Sequence, residues 1–167
     1  NAIANHGGTT AVGEQASATS TLSTAFGYKA SAAGYQALAV GPKSSAAGYK
    51  AIALGTFANA SNTASIALGE NTTSSGLFAT AVGARALSSG DYSAAIGEKS
   101  KATALGSNAL GYLSNASGAY SSALGFGTLA NATSSNALGT DAHASGINSS
   151  AVGTLAKASG LASLAVG

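Results

Sequence analysis

The chain of 167 residues has no cysteine, methionine or tryptophan, only one proline, and only 7% charged residues. The absence of cysteine excludes disulfides and thiolate metal sites. Its seven Lys and Arg residues form no cluster of the kind that binding to nucleic acid or to an anionic membrane surface would need. Large apolar side chains are sparse, and no run of about 18 apolar residues could span a bilayer as a helix. A conventional packed core is therefore not expected.

Glycine recurs at every fourteenth position along the whole chain, and each of these glycines follows an alanine and then a large apolar residue. The repeat glycines are Gly13, Gly27, Gly41, Gly55, Gly69, Gly83, Gly97, Gly111, Gly125, Gly139, Gly153 and Gly167. The apolar residues before them are Val12, Phe26, Val40, Leu54, Leu68, Val82, Ile96, Leu110, Leu124, Leu138, Val152 and Val166. A spacing kept through twelve units defines a repeat architecture.

A second small residue follows seven positions after each repeat glycine. It is glycine in seven units and Ser20, Asn62, Ala104 or Ala132 in the others. Tight turns favour glycine, because glycine adopts a positive φ without a Cβ penalty. Helical repeats do not fit, since glycine at every seventh position would cost about 1 kcal/mol each in a helix. Each unit therefore predicts two short strands and two turns: an all-β, parallel β-roll solenoid with coils about 4.8 Å apart and a length of roughly 55 to 60 Å.

Positions in the unit, counted from the repeat glycine as zero, differ in character. Positions 3 and 5 are almost always Ala, Ser or Thr, while ten of the twelve charged residues lie at positions 1 to 4. Position 12 is always alanine and position 13 always large and apolar, although neighbouring strand residues point to opposite faces. One of those faces needs a partner, so we expect self-association. We predict that the large residue at position 13, in all twelve units, is the structural core inside the roll, and that alanine at position 12 faces neighbouring chains.

An Ala-aliphatic-Gly element that recurs once per fourteen-residue unit, with Ser- and Ala-rich spacers, resembles the YadA-like head of trimeric autotransporter adhesins. The stretches most typical of that family are 65–69, 93–97 and 148–153, and the resemblance covers essentially the whole chain. It implies a left-handed β-roll, a homotrimer of three rolls side by side, and display on the bacterial outer surface. The chain would then be one head domain over residues 1–167 of a longer protein, attached to the outer membrane only through a region outside this segment.

The resemblance implies an adhesin that binds host extracellular-matrix or cell-surface molecules and contributes to virulence. An alternative is a structural spacer that projects another binding tip. An ice-binding solenoid would need threonine at one fixed position, and threonine is scattered here. Scattered acidic residues and two isolated histidines predict no catalytic site, no metal site and no cofactor. Tyrosines beside the turns are the candidate ligand-binding residues, since tyrosine is favoured at recognition surfaces: Tyr28, Tyr35, Tyr49, Tyr92, Tyr112 and Tyr120.

Finally, Gly106 stands at position 9, next to an extra Ala-Leu-Gly at 104–106 that interrupts the repeat. A local bulge is expected at this point.

Overall fold

The computed structural model describes all residues from 1 to 167 and contains only short β-strands joined by turns. Each unit contributes one strand of two residues and one of three residues. The two-residue strands are β1 Ile3–Ala4, β3 Ser17–Ala18, β5 Ser31–Ala32, β7 Ser45–Ala46, β9 Asn59–Ala60, β11 Thr73–Ser74, β13 Leu87–Ser88, β15 Lys101–Ala102, β17 Asn115–Ala116, β19 Leu129–Ala130, β21 His143–Ala144 and β23 Lys157–Ala158. The three-residue strands are β2 Thr10–Val12, β4 Thr24–Phe26, β6 Leu38–Val40, β8 Ile52–Leu54, β10 Ile66–Leu68, β12 Thr80–Val82, β14 Ala94–Ile96, β16 Asn108–Leu110, β18 Ser122–Leu124, β20 Asn136–Leu138, β22 Ser150–Val152 and β24 Leu164–Val166.

These strands form two parallel sheets of twelve strands each. Sheet A contains the odd-numbered strands and sheet B the even-numbered ones. Each strand pairs with the equivalent strand of the next coil in the same register, so that Ile52 lies beside Ile66, for example. The prediction of a parallel β-solenoid with a fourteen-residue coil is confirmed. The chain forms no helix of the length and apolarity needed to cross a membrane.

The space between the two sheets is lined by small side chains. Side chains at positions 3, 5, 10 and 12 point inward, and every buried residue that carries a side chain is Ala, Ser or Thr. Alanines form two clusters, within residues 16–67 and 95–158. Between them the interior is more polar, and the Thr72 hydroxyl donates to the Gly83 carbonyl at 2.6 Å. The sheets thus lie too close together to admit anything larger than threonine.

The prediction that the large residue at position 13 fills the interior is wrong. In β4, Ala25 at position 12 is fully buried, whereas Phe26 at position 13 is 54% exposed. The physical reason is space, because an interior that holds nothing larger than threonine leaves no room for a leucine, isoleucine or aromatic side chain. The residues that lie outside the roll instead of forming its core are Val12, Phe26, Val40, Leu54, Leu68, Val82, Ile96, Leu110, Leu124, Leu138, Val152 and Val166.

The turns follow one scheme around the roll. Twenty non-glycine residues, at positions 2 and 9, have a φ of 50° to 61°. Such a left-handed residue costs on the order of 1 kcal/mol, and here its backbone N–H bonds to the preceding coil, as Lys29 does to the Glu14 carbonyl at 2.9 Å. The repeat glycine begins the first turn with a φ of 121° to 136°, as at Gly27. That region is open mainly to glycine.

Glycine occupies position 7 for a reason other than the positive φ that the sequence led us to expect. Gly48, for example, has no positive φ, but a Cβ there would overlap the Asn62 carbonyl of the next coil. In the four units without this glycine, the residue's N–H donates to a serine Oγ three positions later, at 3.1 to 3.3 Å. Asn62 with Ser65 and Ala104 with Ser107 are two of these pairs. The turn at position 7, called the corner below, therefore takes one of two forms: a glycine, or a larger residue whose N–H bonds to serine at position 10.

The bulge expected near Gly106 is absent. Asn108 in β16 pairs in normal register with Ala94 before it and Ser122 after it. Gly106 takes the same positive φ as other residues at position 9, and the Tyr120 ring lies where its Cβ would be. The extra glycine makes room for an aromatic ring of the next coil.

Candidate binding surface

The outer face of sheet B is an apolar stripe. Positions 11 and 13 both point outward there, and position 13 is large and apolar in every coil. In β6, β8 and β10 position 11 is apolar as well, which adds Leu38, Ile52 and Ile66 to the stripe. In β16, β18, β20 and β22 position 11 is polar instead. Contiguous apolar surface of this kind is typical of a protein–protein interface.

The outer face of sheet A is mostly polar. Its outward residues are at positions 4 and 6, and small hydroxyl and amide side chains such as Ser31, Ser45 and Asn59 predominate. Lys101 and Lys157 are the two lysines on this sheet, and both are exposed. The two outer faces of one chain therefore differ in polarity: that of sheet B is apolar and that of sheet A is mostly polar.

The six candidate tyrosines lie on two opposite edges of the roll rather than in one row. Tyr28 and Tyr112 stand at the first turn, at position 1. The remaining four stand at the second turn, at positions 8 and 9: Tyr35, Tyr49, Tyr92 and Tyr120. All six are exposed. Their role in ligand binding stays a prediction.

Several rings stack on a neighbour one coil away. Tyr35 and Tyr49 have ring centroids 5.4 Å apart with planes 10° from parallel. Phe78 stacks on Tyr92 at 5.5 Å. Tyr112 and Phe126 form a third pair, at 5.4 Å. The phenylalanines were not among the predicted site residues. The signal that could have found Phe126 is its place in the repeat, since it holds the same position as Tyr112 one coil later.

Lysines cover several of the same rings. The ammonium of Lys29 lies 5.1 Å from the Tyr28 centroid, and that of Lys43 lies 4.8 Å from the ring of Phe57. Lys50 lies over Tyr49 at 5.2 Å. Cation–π contacts at exposed sites contribute about 0.5 to 1 kcal/mol each. These lysines were not among the predicted site residues, although Lys29 and Lys50 directly follow the tyrosines that they cover.

Lys99 is the fourth lysine over a ring, but it also has an acidic partner. Its ammonium lies 5.3 Å from the Tyr112 centroid and forms the structure's one ion pair, with Glu98 at 3.3 Å. A hydrogen bond to the Tyr112 hydroxyl and then one to Glu98 raise the pKa of Lys99 above its ordinary value. This lysine is therefore charged and partly neutralised by its neighbour.

A long roll of stacked, equivalent fourteen-residue coils belongs to the class of parallel β-solenoid repeat proteins. The family described as YadA head domain repeat (2 copies) matches residues 7–30, 18–44, 32–58, 60–86, 88–114, 106–128, 116–142, 130–156 and 144–167. These matches cover nearly all of the chain, so this chain belongs to the YadA head domain family, a family of bacterial adhesins.

Among solved structures, the chain is similar to the crystal structure of the collagen-binding domain of the Yersinia adhesin YadA. The two share 23% sequence identity, the alignment covers 95% of this chain and 80% of the other, and the TM-score is 0.49. No curated protein sequence matches the chain significantly.

Proposed function

We propose that this chain is the head of a homotrimeric adhesin that binds host extracellular-matrix or cell-surface molecules and thereby contributes to host attachment and virulence. The observation that carries the proposal is the division of the roll into an apolar outer face on sheet B and a polar outer face on sheet A. The first is suited to a subunit contact and the second to a ligand. On this proposal the chain has no catalytic role.

The homotrimer rests on the apolar stripe of sheet B. Burying one Leu, Ile, Val or Phe side chain stabilises an assembly by about 1.5 to 3 kcal/mol, and every coil offers one such residue at position 13. Three copies with these stripes facing a common axis would supply the core that the thin interior of one roll lacks. Residues 1–167 would then be one head domain of a longer protein displayed at the outer membrane.

Light scattering tests the assembly. The expected mass is three times the 15.7 kDa of one chain. A folded, stable monomer at micromolar concentration would contradict the trimer, whatever the chain binds.

Solid-phase binding tests the adhesive role of the folded protein. Immobilised collagen, fibronectin and laminin, together with epithelial cells, cover the expected ligand classes. We expect saturable binding to at least one of them. A folded trimer that binds none would refute adhesion by this segment.

The alternative of a structural spacer is separated from adhesion by two deletions of equal size. Removing 28–69 or 98–139 takes out three whole coils in each case and rejoins a repeat glycine to a first-turn residue. Both variants should shorten the rod by roughly 14 Å. A spacer predicts equal adhesion for the two, whereas a binding head predicts that one deletion abolishes adhesion and the other leaves it.

A further inference from the structure

Positive charge is concentrated in one band of the roll. No acidic residue lies between Glu14 and Glu70, while Lys29, Lys43 and Lys50 all fall in that interval. None of the three forms an ion pair. In residues 70–141 three basic residues stand against four acidic ones. The early band therefore carries a net charge of +3, and the later one is close to balanced.

Aromatic rings hold these three lysines in place. Each ammonium lies 4.8 to 5.2 Å from a ring centroid, on Tyr28, Phe57 or Tyr49. A lysine that already rests on a ring has less conformational freedom to lose when an anion binds, and a smaller loss of freedom favours binding. The rings thus preorganise the lysines for an anionic ligand.

A shallow polar surface separates the lysines. Lys29 and Lys43 stand at the first turn of consecutive coils, and Lys50 stands at the second turn. Between the two turns runs the outer face of sheet A, where Ser31 and Ser45 point outward. Four residues of extended chain place the two edges about 13 Å apart. We call this surface, Lys29, Lys43 and Lys50 with Ser31 and Ser45 between them, the lysine face.

We propose that the lysine face binds an acidic polysaccharide, a chain of sugar rings that bear sulfate or carboxylate groups. The lysines pair with the acidic groups, and the serine hydroxyls on the surface between them hydrogen-bond to sugar hydroxyls. The stacked Tyr35 and Tyr49 rings border the face at the second turn and add two phenol hydroxyls. This ligand class rests on the adhesive function proposed above and specifies it.

A polysaccharide fits the face better than an acidic peptide for a chemical reason. The small side chains between the lysines are hydroxyl-bearing or alanine, with Ala33 and Ala47 at position 6. Hydroxyl groups pair with the many hydroxyls of a sugar chain, whereas a bound protein relies on large anchoring side chains held in pockets. A trimer would present three such faces, so a long polysaccharide could bind more than one at a time.

The test is binding of the folded protein to immobilised heparin, hyaluronan and neutral dextran, with poly-glutamate as the acidic peptide. We expect binding to one or both acidic polysaccharides and none to dextran. Binding should weaken steeply with salt, because the screening length falls from about 10 Å at 0.1 M to 3 Å at 1 M.

A matched pair of variants locates the site. The triple variant K29Q/K43Q/K50Q should lose about tenfold or more in affinity, the combined effect of three exposed charge contacts. The control K99Q/K101Q/K157Q removes the same charge outside the lysine face and should change affinity less than twofold. All six side chains project from the roll, so circular dichroism should show an unchanged fold.

Four other results would overturn the proposal or a part of it. Equal losses in the two variants would overturn the lysine face as the site, and equal binding to poly-glutamate would overturn the polysaccharide as its ligand. Adhesion to cells without binding to either acidic polysaccharide would refute this inference and leave the adhesive function intact. Loss of both would refute the two together.

Discussion

Two stretches of sheet B share the same inner face and differ on the outer one. The early stretch is β6, β8 and β10, and the late stretch is β16, β18, β20 and β22. Every strand of both has a buried alanine at position 12. Position 11, which points outward, is Leu or Ile in the early stretch and Asn or Ser in the late one. The inner face is thus fixed by the space between the sheets, while the outer face varies with what it contacts.

The difference extends to the corners of the roll. Position 10, which points inward, is alanine at Ala37 and Ala51 in the early stretch. It is serine in all four coils of the late stretch. Because that serine can bond the corner N–H, the late coils can accept a side chain at position 7 where those two early coils depend on glycine. The repeat therefore has two kinds of corner: one that requires glycine at position 7, and one in which serine at position 10 allows a side chain there.

The largest effect is expected on the outer face of the early stretch. In the proposed trimer, Ile52→Asn would remove a buried apolar contact from each of three subunits, at about 1.5 to 3 kcal/mol per side chain. The trimer should weaken by roughly 5 kcal/mol or more. Sedimentation over a concentration series measures this as dissociation to monomers.

The matched change is Asn136→Ile in the late stretch, which should tighten the trimer because it extends the apolar stripe. Ser122→Asn, a polar exchange in the same row, serves as the control and should have little effect. If Ile52→Asn left the trimer intact at nanomolar concentration, the stripe could not be the subunit contact.

The next largest effect tests whether the two inner faces are equivalent. Ala53→Leu in β8 and Ala109→Leu in β16 each force a large side chain into a layer that holds nothing bigger than threonine. Overpacking of this kind typically costs about 1 to 3 kcal/mol. Urea unfolding should give similar losses for both, while the outward control Ile52→Leu stays near the wild type. Unequal losses at the two alanines would show that the interior is wider in one stretch.

The sequence was sufficient to predict the architecture. Glycine at a fixed spacing of 14 predicts the coil and its parallel pairing. Small residues at positions 3 and 5 predict a first strand whose inner face is tightly packed. A partner was predicted as well, because positions 12 and 13 are both restricted although they point in opposite directions, and this stays a prediction. These features depend on backbone geometry, which a periodic pattern records directly.

The prediction of which face of the second strand points into the roll was wrong. Hydrophobicity favoured Leu54 over Ala53 as the inward residue, and packing volume decides the opposite. Position 10 indicates which face is the inner one, because it lies on the same side of the strand as position 12 and is always Ala, Ser or Thr. The Lys43–Phe57 contact could not be predicted from the sequence pattern, because the two residues meet only when consecutive coils are stacked. Lys29 and Lys50, in contrast, directly follow the tyrosines that they cover.

A smaller effect is expected at the corners. Gly48→Ala places a Cβ against the Asn62 carbonyl and should cost about 2 kcal/mol. Adding Ala51→Ser should recover about 1 kcal/mol, since the new hydroxyl can accept the corner N–H. Gly118→Ala in the late stretch already has Ser121 at position 10 and should lose less than Gly48→Ala. Urea midpoints of the four proteins measure these differences, and equal losses at both glycines would contradict the division into two kinds of corner.

The smallest effect concerns the buried serine hydroxyls of the late stretch. Ser121 Oγ, in a coil whose corner is Gly118, has no hydrogen-bond partner. Ser107 Oγ, one coil earlier, accepts from the Ala104 N–H at 3.2 Å and donates to the Ala104 carbonyl at 2.7 Å. Ser121→Ala should therefore raise the free energy of unfolding by about 1 kcal/mol, and Ser107→Ala should lower it by a similar amount. Opposite signs for the same chemical change in neighbouring coils would establish that the serine hydroxyl at position 10 stabilises a coil only where it has a hydrogen-bond partner, whereas a loss in both variants would show that Ser121 Oγ finds a partner in solution.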